Sequence, residues 1–328
     1  MFKKYARILV AAGLILAATR SIGFASDKLN APSLSHFIMG VFYDDLGDVD
    51  RAIGEYKKAL SADDEITAIR LSLAAGFIRK KDLTKAAQEL KRVISLDPEA
   101  VEPHAILAAL YSIQDKKEQA QNEYESALKN ASKLNPNDVG LYQALGALYL
   151  KQNKLKEALG VYRIISVLSP DDPKAHFYLG TVYAELKDYW LCEAELKQAL
   201  ELNPDYSEAL NYLGYEYVEW GKDLNKAEKL IRKAVKLEPG NGAYIDSLGW
   251  VYYKKGKFRK AAELLEKAAS LMEDPAIYGH LGDTYFKLNE AGKAKLNWKK
   301  SLELDSKQEK IRKKIEALDK NAGNAKPN

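Results

Sequence analysis

One pattern of roughly 34 residues runs through this chain eight times and limits what the chain can fold into. A small residue stands at Gly40, Ala74, Ala108, Gly146, Gly180, Gly214, Gly249 and Gly282. An aromatic follows three positions later, at Tyr43, Phe77, Tyr111, Tyr149, Tyr183, Tyr217, Tyr252 and Tyr285. A second small residue returns at Ala52, Ala86, Ala120, Ala158, Cys192, Ala227, Ala261 and Ala294. A fixed period of this length means stacked supersecondary units. Each unit buries its apolar face against its neighbours, so the chain grows by addition, and its 328 residues need not mean two or three globular domains.

Each unit reads as two helices. Counted from the start of a unit, the first helix carries its small residue at position 8 and its aromatic at position 11, an i, i+3 pair on one face. The second carries the small residue at position 20 and a large apolar one at position 24: Tyr56, Leu90, Tyr124, Tyr162, Leu196, Ile231, Leu265 and Trp298. Small side chains at 8 and 20 let the helices approach, and the large ones at 11 and 24 fill the space around that contact. Gly or polar residues separate the helices, at Gly47, Lys81, Asn153, Gly221 and Gly256. Pro98, Pro136, Pro170, Pro204 and Pro239 end units, where a residue that cannot continue a helix fits.

These residues closely resemble the tetratricopeptide repeat, over residues 33–308. The resemblance implies an all-α, right-handed α-solenoid of about eight helix-turn-helix repeats: 33–66, 67–100, 101–138, 139–172, 173–206, 207–241, 242–274 and 275–308. The third is longer by four residues around Leu134 to Asn137, the sixth by one near Asp223 to Lys226. Residues 309–320 continue as an amphipathic helix with Ile311, Ile315 and Leu318 on one face and Arg312, Lys313 and Lys314 on the other. That layout suits a capping helix with a polar outer face. The small, polar stretch 321–328 is expected to be a disordered tail.

Residues 1–25 have a different character. Lys3, Lys4 and Arg7 precede an apolar or small run from Ile8 to Thr19, and Gly23 and Ala25 offer small residues before a cleavage point. This is the layout of a secretory signal peptide, and the run is shorter than the ~20 residues of a membrane span. The expected compartment is therefore the periplasm; the alternative is an inner-membrane anchor through residues 8–19. Of the 50 Lys and Arg, four lie in this segment, and the remaining 46 match the 46 acids. A neutral balance argues against a nucleic-acid binder, which needs positive charge on one face. The single cysteine, Cys192, excludes an internal disulfide and reads as a small buried filler.

No catalytic, metal or cofactor site is expected. His36, His104 and His176 all stand at position 4 of their units, too far apart to share one ion. Asp44, Asp45, Asp48 and Asp50 lack the spacing and closing Glu of a calcium loop. Asn130-Ala131-Ser132 is a lone glycosylation sequon. Repeated positions do not converge into a nucleophile with its base, so the chain reads as non-enzymatic.

The resemblance also implies a concave groove lined by the first helices, at positions 2, 5, 6, 9, 12 and 13. Units 2 to 4 place Ala68, Ala75, Ala105, Ala109, Ala144 and Ala147 there. Units 5 to 8 place Phe177, Tyr178, Thr181, Asn211, Tyr212, Tyr215, Asp246, Trp250, Tyr253, His280, Asp283 and Phe286. Rings with amide and carboxylate groups suit a partner protein or peptide segment, with several rings open to the alternative of packing between repeats. Position 5 carries no Lys, which sets the chain apart from the carboxylate clamps of the family. Residues 210–268 look like the late repeats of bacterial envelope proteins of this family. The expectation is a scaffold or adaptor of the cell envelope, with no nucleic acid bound and membrane reached only through an uncleaved leader or a membrane-bound partner. Two alternatives are an assembly factor of a pilus or secretion-type complex acting through its outer faces, and an adaptor for an envelope protease. The latter is weakened by the missing lipid-attachment cysteine.

Overall fold

The computed structural model describes residues 30–61 and 64–324. The expected signal segment, 1–25, lies outside the described residues, as do 325–328 of the expected tail. The described residues form seventeen helices and no strand. They divide into two compact units between Leu168 and Ser169. The first unit holds α1 (Ala31–Asp45), α2 (Val49–Ala59), α3 (Thr67–Arg79), α4 (Leu83–Leu96), α5 (Val101–Ile113), α6 (Lys117–Leu134), α7 (Val139–Lys151) and α8 (Leu155–Leu168). The second holds α9 (Pro173–Glu185), α10 (Tyr189–Leu202), α11 (Ser207–Glu219), α12 (Leu224–Leu237), α13 (Gly242–Lys254), α14 (Phe258–Leu271), α15 (Pro275–Lys287), α16 (Ala291–Leu304) and α17 (Glu309–Asn324). Odd and even helices pair into hairpins, and within each unit the second helix of a hairpin packs on the first helix of the next. The final helix, α17, packs on α16 and runs to Asn324, one turn beyond the expected end of the cap.

The hairpins close on the position 8 and position 24 residues. A Cβ built on Gly249 would stand 2.7 Å from the Leu265 side chain, and one on Gly146 would stand 2.8 Å from the Tyr162 ring. Leu265 and Leu196 are fully buried, as are Ala261 and Cys192 at position 20. Burial pushes the Cys192 thiol up to about 12, so it stays a neutral filler. The third repeat departs from this scheme. Its four extra residues stretch α6 to 18 residues, against 14 in α4 and α8, and Tyr124 at position 24 is 44% exposed instead of core.

Every hairpin turn has the same backbone. Gly47, Lys81, Asp115, Asn153, Lys187, Gly221, Gly256 and Asn289 all lie at positive φ, between 56° and 76°. In each, the next N–H donates to the carbonyl of the position 11 aromatic, for example Asp188 to Tyr183 and Lys257 to Tyr252, both at 2.9 Å. This left-handed stop satisfies a carbonyl that the helix end would leave open.

Charged clips join the same frame. His36, Arg70, His104 and His176, all at position 4, meet Glu55, Glu89, Glu123 and Glu195 across their hairpins at 2.6–2.7 Å. The histidines thus act as hairpin clips. Between hairpins, the position 11 tyrosines donate to a glutamate of the preceding helix: Tyr149 to Glu125 at 3.3 Å, Tyr217 to Glu193 at 2.8 Å and Tyr252 to Glu228 at 2.5 Å. Burial disfavours the charge on Glu193, but hydrogen bonds from Lys197, Lys222 and Tyr217 outweigh it and hold the carboxyl at about 2. The sequon is built into the fold as well, because Asn130 is buried and its Nδ2 donates to Pro98 O at 2.9 Å. Asp44 accepts from the Tyr56 hydroxyl at 2.8 Å, and Asp48 caps α2 through the Arg51 N–H.

Candidate partner-binding face of the second unit

Short turns alternate the helix direction, and the two helices of each repeat end up in different layers. In the second unit α11 touches α13, and α13 touches α15, directly, while no comparable contact joins successive second helices. The first helices are therefore the closer-spaced layer, which is the inner side of a curved stack. Their starts are fixed locally. Asp172, Asn241 and Asp274 cap α9, α13 and α15 by accepting from N–H groups of the first turn.

The twelve side chains expected on this face separate into three groups. Tyr178 and Phe286 are open, at 38% and 47% exposure. Phe177, Thr181, Asn211, Tyr212, Tyr215 and Tyr253 are half-buried. Phe177 makes edge-on contacts with Tyr178 at 5.4 Å and Tyr212 at 5.9 Å, so the rings of α9 and α11 form one patch. Thr181 donates its hydroxyl to the Tyr178 carbonyl at 2.7 Å. Tyr253 lies edge-on to Phe258 at 5.5 Å. Asn211 Oδ1 is enclosed and has no hydrogen-bond partner.

The third group holds the repeats together. Trp250 and Asp246 are buried, and so is every residue from Tyr244 to Tyr252 in α13. The Trp250 ring is stacked on Tyr253 at 4.5 Å and on His280 at 4.0 Å, and its Nε1 donates to Glu219 at 2.7 Å. His280 Nδ1 donates to Asp246 at 2.9 Å. Asp283 accepts from Trp298 Nε1 at 3.0 Å and from Lys314 at 2.6 Å. Trp250 and Asp246 therefore belong to the packing of α13, α15 and their neighbours, correcting the expectation that these two face a partner, and the half-buried His280 and Asp283 are tied to that packing by their bonds. Trp250 has both ring faces covered, which leaves no face for a ligand.

Sequence reasoning missed the carboxylates of this face. Glu185 and Glu219 both stand at position 13, a slot that the groove pattern includes. Glu216 joins them. Its burial, reinforced by Glu219 and Glu185 nearby, raises its carboxyl above the ordinary carboxylate range. Burial also raises the phenols of Tyr212 and Tyr215, with Glu216 and Glu219 respectively as the leading charges beside them. Rings and carboxylates thus share one surface.

Similarity to known proteins bears on the fold and on the family. The chain aligns with 171 residues of the human protein O-mannosyl-transferase TMTC1 at 26% identity, covering 51% of this chain and 19% of that protein. Among solved structures it is similar to a tetratricopeptide repeat protein from Parabacteroides merdae, with a TM-score of 0.58, 20% identity and coverage of 77% of this chain and 98% of the other. It is also similar to the APC/C hetero-tetramer Cut9–Hcn1, with a TM-score of 0.57, 15% identity and coverage of 89% and 70%. These likenesses establish the fold. Models described as tetratricopeptide repeat match residues 43–101, 114–173, 144–189, 173–206, 244–277 and 275–308. The matched segments take up well over half of the chain, three of them (173–206, 244–277 and 275–308) each cover one helical hairpin, and the chain belongs to the tetratricopeptide repeat family.

Proposed function

We propose that this protein is a non-enzymatic scaffold that holds an extended, basic segment of a partner protein on the inner face of its second unit. Proteins of this family bind other proteins. The observation that carries the reading is Asn211. Its enclosed, unpartnered Oδ1 is costly in a folded protein, and a turn of the half-buried side chain outward, to the N–H of an extended backbone laid across α11, would satisfy it. Tyr178, Tyr212 and Tyr215 supply ring surface on either side, at small entropic cost. Glu185, Glu216 and Glu219 favour Lys or Arg on the segment. The alignment with a transferase covers too little of that enzyme to carry its activity over.

Selection of displayed random peptides on the full chain tests this reading. Recovered peptides should be rich in Lys and Arg. Their affinity should fall about tenfold or more in Asn211→Ala and in Tyr215→Ala, each with an unchanged circular dichroism spectrum. Peptides that bind both variants as tightly as the parent would sink the reading.

The proposal places the scaffold in the cell envelope, on the strength of the leader-like composition of residues 1–25. Among the described residues no helix is long and apolar enough to cross a membrane. N-terminal sequencing of the protein recovered from producing cells decides the point: a start at Ser26 supports export, and a start at Met1 in the cytosolic fraction contradicts it.

A further inference from the structure

In the second unit the helix direction alternates, so all four hairpin turns fall on one edge and the loops between repeats fall on the other. The two edges differ in charge. The turns, 185–192, 219–227, 254–261 and 287–294, carry ten Lys or Arg and five acids. The three loops, 202–210, 237–245 and 271–278, carry five acids and no base. Helix dipoles do not explain the difference, because each turn and each loop joins one helix C-terminus to one N-terminus. The turn 254–261 is the extreme case, with five bases and no acid. Lys257, Arg259 and Lys260 in it are exposed.

The basic edge also carries bare rings. Trp190, in the first turn of α10, is 76% exposed, and Tyr189 beside it is 46% exposed. Tyr189 lies 5.2 Å from Trp220, the residue that ends α11 on the same edge, and Lys222 covers the Trp220 ring at 5.0 Å. Indole and phenol rings among lysines are the side chains that settle at the headgroup level of a bilayer, the rings in the interface and the cations near lipid phosphates. The charges are mostly lysines on flexible stems, which suit a diffuse anionic surface better than the fixed forks that a particular protein surface would demand.

We propose that the turn edge of the second unit lies on an anionic bilayer surface, with Tyr189 and Trp190 among the headgroups and Lys257, Arg259 and Lys260 facing the lipid phosphates. Glu185 and Glu219 stand where this edge meets the inner face, but Tyr189, Trp190, Lys257, Arg259 and Lys260 are none of the residues assigned to the partner segment above, so the two contacts are tested separately. The membrane contact belongs to the folded repeats themselves, separate from any made by a leader.

Tryptophan emission tests the idea. The full chain is mixed with vesicles of phosphatidylcholine and phosphatidylglycerol in equal parts, brominated on the acyl chains, and quenching is normalised to unbrominated vesicles. The parent should be quenched roughly twofold more than Trp190→Tyr. That difference should vanish in the triple variant Lys257→Glu, Arg259→Glu, Lys260→Glu and on vesicles of phosphatidylcholine alone. All three positions are exposed, and circular dichroism confirms that the triple variant is folded. Binding through residues 1–29 is common to every form and adds nothing to the difference at Trp190. Equal quenching of parent and Trp190→Tyr would overturn the proposal, as would a difference that survives charge reversal. An edge that meets an acidic protein instead would show no bromine quenching specific to Trp190.

Discussion

The two units use one repeat frame and furnish it differently. On the first helices of the hairpins in the first unit, Ala105 and Ala147 are exposed at positions where the second unit places Phe177 and Tyr215. The position 4 slot differs as well. The first unit clips three hairpins with His36–Glu55, Arg70–Glu89 and His104–Glu123, whereas the second repeats this once, with His176–Glu195, and then turns to Leu210, Ile245 and Tyr278. Yet positions 8, 20 and 24 are filled in the same way in both, the third repeat apart. The contrast separates what stacking demands from what it leaves open. Residues that set the distance between helices are held in common, and residues on the inner face are free to differ.

Four experiments press on this contrast. The two largest effects are expected from buried side chains, and the first test is made where the units agree. Leu90→Ala in the first and Leu265→Ala in the second remove fully buried side chains at position 24 and should each cost about 2–5 kcal/mol in denaturant unfolding. A much smaller loss in one of them would mean that the frame is not shared. Next come the rings of the inner layer. Trp250→Ala should cost about 3–5 kcal/mol, because its ring is buried between Tyr253 and His280. Tyr178→Ala and Phe286→Ala, at exposed rings, should stay within about 0.5 kcal/mol while weakening peptide binding. Equal costs at all three would erase the distinction drawn between packing rings and open ones.

The third effect depends on pH. Glu193 and Glu228 are held at about 2 against an ordinary value of 4.5, so their contribution is present above about pH 4.5 and is lost as pH falls towards 2. Glu193→Gln should cost about 1–2 kcal/mol at neutral pH, and the gap to the parent should close over that window. A gap that stays constant down to pH 2 would show that the clip holds no charge-dependent stability. The smallest effect concerns the turns. Lys81→Gly in the first unit and Lys187→Gly in the second relieve a left-handed non-glycine residue and should each raise stability by up to about 1 kcal/mol in thermal unfolding. A loss in both would mean that these lysines contribute more than backbone geometry.

Much of this was legible in the sequence because it repeats. The spacing of Gly249, Tyr252, Ala261 and Leu265 states a packing rule, and a rule restated eight times leaves little room for another fold. The candidate site was less legible, for a physical reason. A groove position is read from one helix, but burial is decided by neighbours. Trp250 is closed off by His280, one repeat further on, and Asp246 is taken up by the same histidine. Periodicity places all three on the inner layer and cannot say which of them stack on one another. Charge partners are hidden for the same reason: Glu193 meets Tyr217 and Lys222 only once two hairpins are packed together. Tyr124 differs for a local reason: the Tyr56 and Tyr162 rings lie where a Cβ on Gly40 or Gly146 would stand, and the third repeat has Ala108 at that position.

The eight turns carry one more implication. Each is closed by a main-chain N–H and a main-chain carbonyl, and the side chains at the corner take no part in that closure. A run such as Asp44-Asp45-Leu46-Gly47-Asp48 and one such as Lys254-Lys255-Gly256-Lys257-Phe258 can therefore occupy the same bend. The corners are interchangeable labels on a fixed hinge-pin. A lineage could rewrite the electrostatic address of this protein one corner at a time wherever the corner side chain, unlike Asp44 or Lys222, makes no bond to another helix.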